Sequence, residues 1–92
     1  MKNFAGKIAF ITGGASGAGL GQAKLFSKEG MRVAIGDIRQ DALDKAVEEI
    51  RAYSGAKAED VLAIRVDLMD REQYIAAADK IEEVFGGPPR LF

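Results

Sequence analysis

A regular exchange between two apolar periods constrains this chain more than any other feature of its sequence. Short apolar runs alternate with stripes spaced at helical intervals. The runs are Lys7 to Thr12, Met31 to Gly36 and Val61 to Val66, the last two closed by Asp37 and Asp67. Near-continuous apolar runs of this length are the mark of strands buried on both faces. Between them Leu20, Ala23 and Phe26 trace a first helix, with Gly30 placed where a left-handed cap would end it. Leu43, Ala46, Val47 and Ile50 then fall at i, i+3, i+4 and i+7, while Asp44, Lys45, Glu48, Glu49 and Arg51 face away. Asp70 with Gln73 reads as a capping pair that opens a third helix. Its stripe is Tyr74, Ala77, Ala78, Ile81, Val84 and Phe85, and Gly86-Gly87-Pro88-Pro89 stops it. Arg90-Leu91-Phe92 begins a fourth strand. Phe4, Phe10 and Phe26 are assigned to the core, and Tyr53 to the edge of the second helix's apolar stripe.

The order is therefore β-α-β-α-β-α plus the start of a fourth strand. Each crossover between parallel strands needs a helix and is right-handed, so the pattern specifies an α/β, Rossmann-type doubly wound parallel sheet, here its N-terminal portion. The first two helices are expected on one face. The third belongs on the other if the fourth strand lands beside the first. With 92 residues there is room for one domain, spanning 1–92. Hydrophobic residues at 48% and charged residues at 29% make it a folding chain rather than a disordered one.

Composition also removes function classes. The 13 basic and 14 acidic residues are dispersed and leave a net charge of −1, so no basic stripe is available to nucleic acid. Cysteine and histidine are both absent, which excludes disulfides, thiolate metal sites and histidine acid/base chemistry. No metal site is expected. Ile8 to Ile11 is too short an apolar run for a membrane span or signal-peptide core, so a cytoplasmic location is expected.

The chemistry lies in the turn after the first strand, Thr12-Gly13-Gly14-Ala15-Ser16-Gly17-Ala18-Gly19. It does not fit G-x-G-x-x-G, because the position three places beyond Gly19 is Gln22. It does fit T-G-x-x-x-G-x-G through Gly13, Gly17 and Gly19. A strand that turns sharply into a helix needs backbone angles forbidden to a side chain, which Gly13 supplies. Gly17 and Gly19 remove Cβ atoms from the path of a pyrophosphate approaching the helix N-terminus, where amides and the helix dipole favour an anion. Asp37 follows Gly17 by twenty residues and closes the second strand, the place from which an acidic side chain meets the ribose hydroxyls of a dinucleotide.

With these residues in these places, the chain resembles the short-chain dehydrogenase/reductase family over its whole length. The resemblance implies that Ser16 and the backbone at Ala18 touch the cofactor. Ala18 is smaller than the aliphatic residue usual in the family, which implies a weaker contact there. It further implies that Asp67 accepts from the adenine amino group, that the amide of Leu68 donates to the ring, and that Ile38 beside Asp37 belongs to the same site. The implied reaction is hydride transfer between a nicotinamide and an alcohol or ketone, with homo-oligomers common in the family. Asp37, together with an uncharged Ser16 where NADP-preferring relatives often carry a basic residue, points to NAD in preference to NADP. Arg39, two residues beyond Asp37, is suited to meeting a phosphate and pulls the other way.

One apparent motif is set aside. Tyr53-Ser54-Gly55-Ala56-Lys57 spells Y-x-x-x-K, the family's catalytic pattern, but topology puts it at the end of the sheet opposite the strand C-termini. No catalytic residue is therefore assigned. The Asn-Ala-Gly segment, the catalytic serine and a later Tyr-x-x-x-Lys of the family are not in the sequence, so the chain reads as a cofactor-binding domain that stops before the catalytic half. A non-catalytic nucleotide-binding module and a structural fragment stay open as alternatives.

Overall fold

The computed structural model describes residues 6–91; the expectations placed on Phe4 and Phe92 lie outside them. In chain order the elements are β1 (Ile8–Thr12), α1 (Gly17–Lys28), β2 (Arg32–Asp37), α2 (Gln40–Ser54), a single 3-10 turn (Ala58–Asp60), β3 (Val61–Arg65), α3 (Arg71–Phe85) and β4 (Arg90–Leu91). The strands form one parallel sheet in the order β3-β2-β1-β4. The order reverses between β1 and β4, as expected if the fourth strand starts beside the first. The C-terminal edge at that reversal is where open α/β sheets bind ligands.

Alternation along the strands explains why the apolar runs are continuous. Ala9, Ile11, Val33 and Ile35 face α1 and α2, where they pack with Ala23, Leu43, Ala46 and Ile50. Phe10 and Ala34 face the other way and pack with Val66, Ala77, Ile81 and Phe85 of the α3 layer. Side chains one residue apart thus enter different cores. The fully buried Ile35, Leu43, Ile50 and Ile81 each contribute roughly 1.5–3 kcal/mol through loss of apolar surface to water.

Helix ends follow the local chemistry with small departures from expectation. The amide of Met31 donates to the Phe26 carbonyl at 3.1 Å and that of Gly30 to Ser27 at 3.1 Å, with Gly30 at φ 92°. This Schellman arrangement takes Met31 out of the second strand, which begins at Arg32. Asp70 caps α3 by accepting from the amides of Glu72 and Gln73. The Gln73 side chain does not complete the reciprocal box; its carbonyl oxygen accepts from the Asp67 amide at 2.9 Å, while the Asp70 amide goes to the Asp67 carbonyl. Val84, expected in the buried stripe, is 48% exposed. It sits about 100° around the helix from Phe85, at the margin of the apolar face. At the sheet end away from the strand C-termini, Arg32 donates to the Phe85 carbonyl at 2.8 Å and pairs with Asp60 at 3.3 Å, tying α3 to the 3-10 turn.

Candidate functional site

The β1–α1 loop is shaped by glycines for different reasons. Gly13 takes φ 68° and extends the sheet ladder by one bond, its amide donating to the Gly36 carbonyl at 2.8 Å. Gly17 opens α1 at φ 58°, and a Cβ there would meet nothing within 4 Å, so it would project into open space at the helix start. Gly19 differs from the sequence expectation. A Cβ on it would collide with the carbonyl of Gly13 and approach the Gly14 Cα to 3.2 Å. Its bareness therefore seats the helix on its own loop, in addition to any service to a ligand. Gly14, not singled out in the sequence, is needed for packing: a Cβ there would lie 2.6 Å from Ile35 Cγ2 and 2.9 Å from the Ile11 carbonyl oxygen.

The start of α1 has amides without an internal acceptor among the described residues. Ser16 is the N-cap residue, yet its side chain makes no cap bond, and the first turn holds no acidic residue. The first intrahelical donor past the cap is Leu20, bonded to the Ser16 carbonyl at 3.2 Å. The amides of Gly17, Ala18 and Gly19 thus lie at the positive end of the helix dipole with no protein acceptor among the described residues, and Ala18 is exposed.

The Ser16 hydroxyl is engaged elsewhere, by Arg39. Nη2 of Arg39 donates to Ser16 Oγ at 3.0 Å and to Asp37 Oδ2 at 3.1 Å. Nε and the backbone amide of Arg39 both donate to Asp37 Oδ1, each at 3.1 Å. Because one nitrogen bonds both oxygens, Ser16 Oγ and Asp37 Oδ2 lie no more than about 6 Å apart. The Asp37 side chain is 9% exposed and that of Arg39 is 53% exposed. Hydrogen bonding from the Arg39 side chain holds the Asp37 carboxyl below its usual pKa, against the upward push of burial, and the same bonds raise that of Arg39. Both are charged at neutral pH.

Beside this group, Gly13, Asp37, Ile38, Val66, Asp67, Leu68 and Met69 line a cleft of about 230 Å³. Whole small-molecule sites run to roughly 300–1,000 Å³, so its size suits one end of a dinucleotide. Ile38 is 53% exposed at its rim and Met69 is 94% exposed. Arg65 Nε donates to the Ile38 carbonyl at 3.0 Å and fixes that rim. Asp67 Oδ1 accepts from the Met69 amide at 3.0 Å; Oδ2 and the Leu68 amide have no bond to protein among the described residues. The cleft thus offers a free carboxylate acceptor and a free amide donor between apolar walls, which fits the two edges of an adenine. The structure brings Gly13, Ser16, Gly17, Ala18, Gly19, Asp37, Ile38, Asp67 and Leu68 to the C-terminal edge of the sheet. Sequence reasoning missed the three-way bonding of Arg39, for which the only signal was a cation two residues from Asp37.

Tyr53 and Lys57 are elsewhere. Gly55 at φ 75° ends α2 between them. The helix runs 15 residues from its start beside Asp37, about 22 Å, which carries Tyr53 to the opposite end of the sheet. Tyr53 is 48% exposed, with the Lys28 ammonium 5.0 Å from its ring centre. Expected at the edge of the α2 stripe, it lies half exposed beside Lys28 of α1.

A cleft at the switch point of a parallel sheet, beside a glycine-lined helix start and an acidic strand end, is the arrangement of a Rossmann-type dinucleotide-binding fold. The short chain dehydrogenase family pattern matches residues 7–88, and the chain belongs to that family, whose Rossmann-fold members bind NAD(P). It is 48% identical over 91 residues to the C alpha-dehydrogenase of Sphingobium sp. strain SYK-6, covering 99% of this chain and 28% of that protein. The apo form of LigD from the same strain superposes with a TM-score of 0.87 at 47% identity, over 96% of this chain and 36% of that one. An NAD+-bound xylitol dehydrogenase gives a TM-score of 0.88 at 30% identity, over 99% and 34% of the two chains. The chain spans about a third of the length of the relatives it matches and corresponds to their cofactor-binding portion. Among the described residues, no helix is long and apolar enough to cross a membrane.

Proposed function

We propose that this chain is the NAD-binding domain of an oxidoreductase that moves hydride between a nicotinamide and an alcohol or ketone, with residues 1–92 preceding the catalytic half. The observation that carries the reading is the nearness of Asp37 to Ser16, the N-cap residue of α1, both bonded by one nitrogen of Arg39. Ribose hydroxyls on Asp37 and a pyrophosphate on Gly17, Ala18 and Gly19 need acceptors and donors about one ribose-phosphate apart. Ser16 Oγ, at the start of that helix, lies no more than about 6 Å from Asp37 Oδ2, which supports such a spacing. The adenine enters the cleft between Ile38 and Leu68, with its amino group on Asp67 and a ring nitrogen on the Leu68 amide. The bound nicotinamide supplies the hydride chemistry. This part of the chain binds and orients the cofactor, and the reaction itself is supported by the dehydrogenase relatives.

NAD is the preferred cofactor on this reading. Hydrogen bonds to a charged acceptor are worth about 1.5–3 kcal/mol each. A 2′-phosphate removes one donor and sets a like charge beside Asp37, a combined penalty of about 2–4 kcal/mol, or roughly 30- to 1000-fold in affinity. The neighbouring Arg39 cation places the ratio toward the lower end. Calorimetric titration of the full-length protein and of Asp37→Ala with both cofactors tests this. NAD is expected to bind tighter to the parent, with the ratio collapsing in the variant. Equal or tighter NADP binding by the parent, or a ratio unmoved by Asp37→Ala, overturns it. A protein that binds NAD but carries no oxidoreductase activity would be a binding module instead.

A further inference from the structure

We infer that Arg39 is a built-in competitor for the adenosine-ribose position, so that it weakens NAD binding and strengthens NADP binding. The inference rests on the dinucleotide reading of the site and adds a specificity-determining residue to it.

The two oxygens of a carboxylate offer about four lone-pair positions. At Asp37 the backbone amide of Arg39 takes one on Oδ1, Nε takes a second on Oδ1, and Nη2 takes one on Oδ2. One position is left, on Oδ2. A ribose diol that donates both hydroxyls needs two. With the guanidinium in place, the diol is therefore short of one acceptor, and the two donors cannot both be satisfied. The carboxylate is 9% exposed, so solvent does not make up the difference.

Arg39 is free to yield. Its backbone is the N-cap of α2, and its carbonyl accepts the first helical bond from Leu43 at 3.1 Å. Its side chain makes no cap bond. The guanidinium can therefore leave Asp37 without disturbing the helix. The bond from the Arg39 backbone amide to Oδ1 stays and keeps the carboxylate aimed. Arg39 is exposed and its side-chain bonds in the described structure are those to Asp37 and Ser16. The exchange thus replaces guanidinium donors by hydroxyl donors and lowers NAD affinity a few-fold rather than abolishing it.

The same geometry acts oppositely on a 2′-phosphate. That group cannot bond Asp37 and is repelled by it, but a guanidinium offers a planar pair of donors suited to phosphate oxygens. Arg39 stands between Asp37 and Ser16, within reach of a phosphate on that ribose, and it partly cancels the carboxylate charge from there. Removal of Arg39 leaves Asp37 facing the phosphate alone.

The test is Arg39→Ala and Arg39→Lys in the full-length protein, titrated calorimetrically with NAD, NADP, ADP-ribose and 2′-phospho-ADP-ribose. The alanine variant is expected to bind NAD and ADP-ribose about three- to fivefold tighter, the scale of an exposed ion pair. It should bind both 2′-phosphorylated ligands weaker by at least that factor. Lysine, with charge but no planar fork, should keep most of the 2′-phosphate affinity and still gain for NAD. The use of ADP-ribose restricts the readout to the adenosine half. If Arg39→Ala weakens NAD and ADP-ribose, or moves all four ligands the same way, Arg39 is a contact or structural residue and the inference is overturned while the NAD reading stands. If the parent binds none of the four, the underlying reading fails first.

Discussion

Replacing Gly19 by alanine should damage the protein in a way that replacing Gly17 does not. A Cβ on Gly19 strikes the Gly13 carbonyl oxygen, lies 3.0 Å from the Gly13 carbonyl carbon and 3.2 Å from the Gly14 Cα. All three are backbone atoms, so no rotamer change relieves the contact, and α1 must move off its loop by a few tenths of an ångström or more. Overpacking of this kind costs typically about 1–3 kcal/mol, and the rigid neighbours put Gly19→Ala in the upper half of that range. The shift also displaces the amides of Gly17, Ala18 and Gly19 from any pyrophosphate. Gly17→Ala meets no atom within 4 Å, and its cost is conformational: φ 58° is unfavourable for an L side chain by about 1–2 kcal/mol. Asparagine tolerates that region better, so Gly17→Asn should recover part of the stability lost in Gly17→Ala. It should not recover affinity, because its side chain fills the open approach to the helix start. Denaturant unfolding of the four full-length proteins gives the stabilities, and titration with NAD gives the affinities. Stability and affinity should fall together in Gly19→Ala and separate in Gly17→Asn. A Gly19→Ala protein with parental stability and parental affinity refutes the steric reasoning.

Three further substitutions probe the rest of the molecule. Tyr53→Phe and Lys57→Ala should leave the proposed turnover of the full-length protein within a few-fold of the parent; a drop of roughly a thousandfold, the scale of losing a key catalytic group, would show that the pair on either side of the α2 C-cap does chemistry after all. Gly21 lies within α1, where an added Cβ would meet nothing within 4 Å, so Gly21→Ala should stabilise the fold by about 0.5–1 kcal/mol in denaturant unfolding; unchanged or lower stability contradicts this.

The parts of this fold that were legible in the sequence are those set by one chain segment against water. Phe10 and Ile11 enter different cores, so both had to be apolar, and the run Ile8 to Ile11 announced a strand covered on two faces. Asp70 announced α3 because a cap acts within its own turn. Strand order followed from helix crossovers, and with it the meeting of Gly17, Asp37 and Asp67 at one edge. What stayed hidden depends on which of several equal partners a side chain takes. Gln73 had the spacing to bond the Asp70 amide, but its carbonyl oxygen takes the Asp67 amide instead. Gly14 looked like one more loop glycine, because the Ile35 side chain that needs its bareness comes from another strand.

Arg39 shows the same limit at the site itself. A cation two residues from Asp37 was visible in the sequence, and so was its fitness for phosphate. Its second partner, Ser16, is 23 residues away and comes within 3.0 Å only because β1 and β2 are adjacent and their C-terminal loops converge. Sequence spacing therefore gave the attraction between Arg39 and a phosphate but not its starting point. The starting point decides the sign of its effect on NAD. A guanidinium waiting in solvent would leave the ribose contacts of Asp37 untouched, whereas one already bonded to both carboxylate oxygens would have to give up a position before both hydroxyls of a diol could bond there.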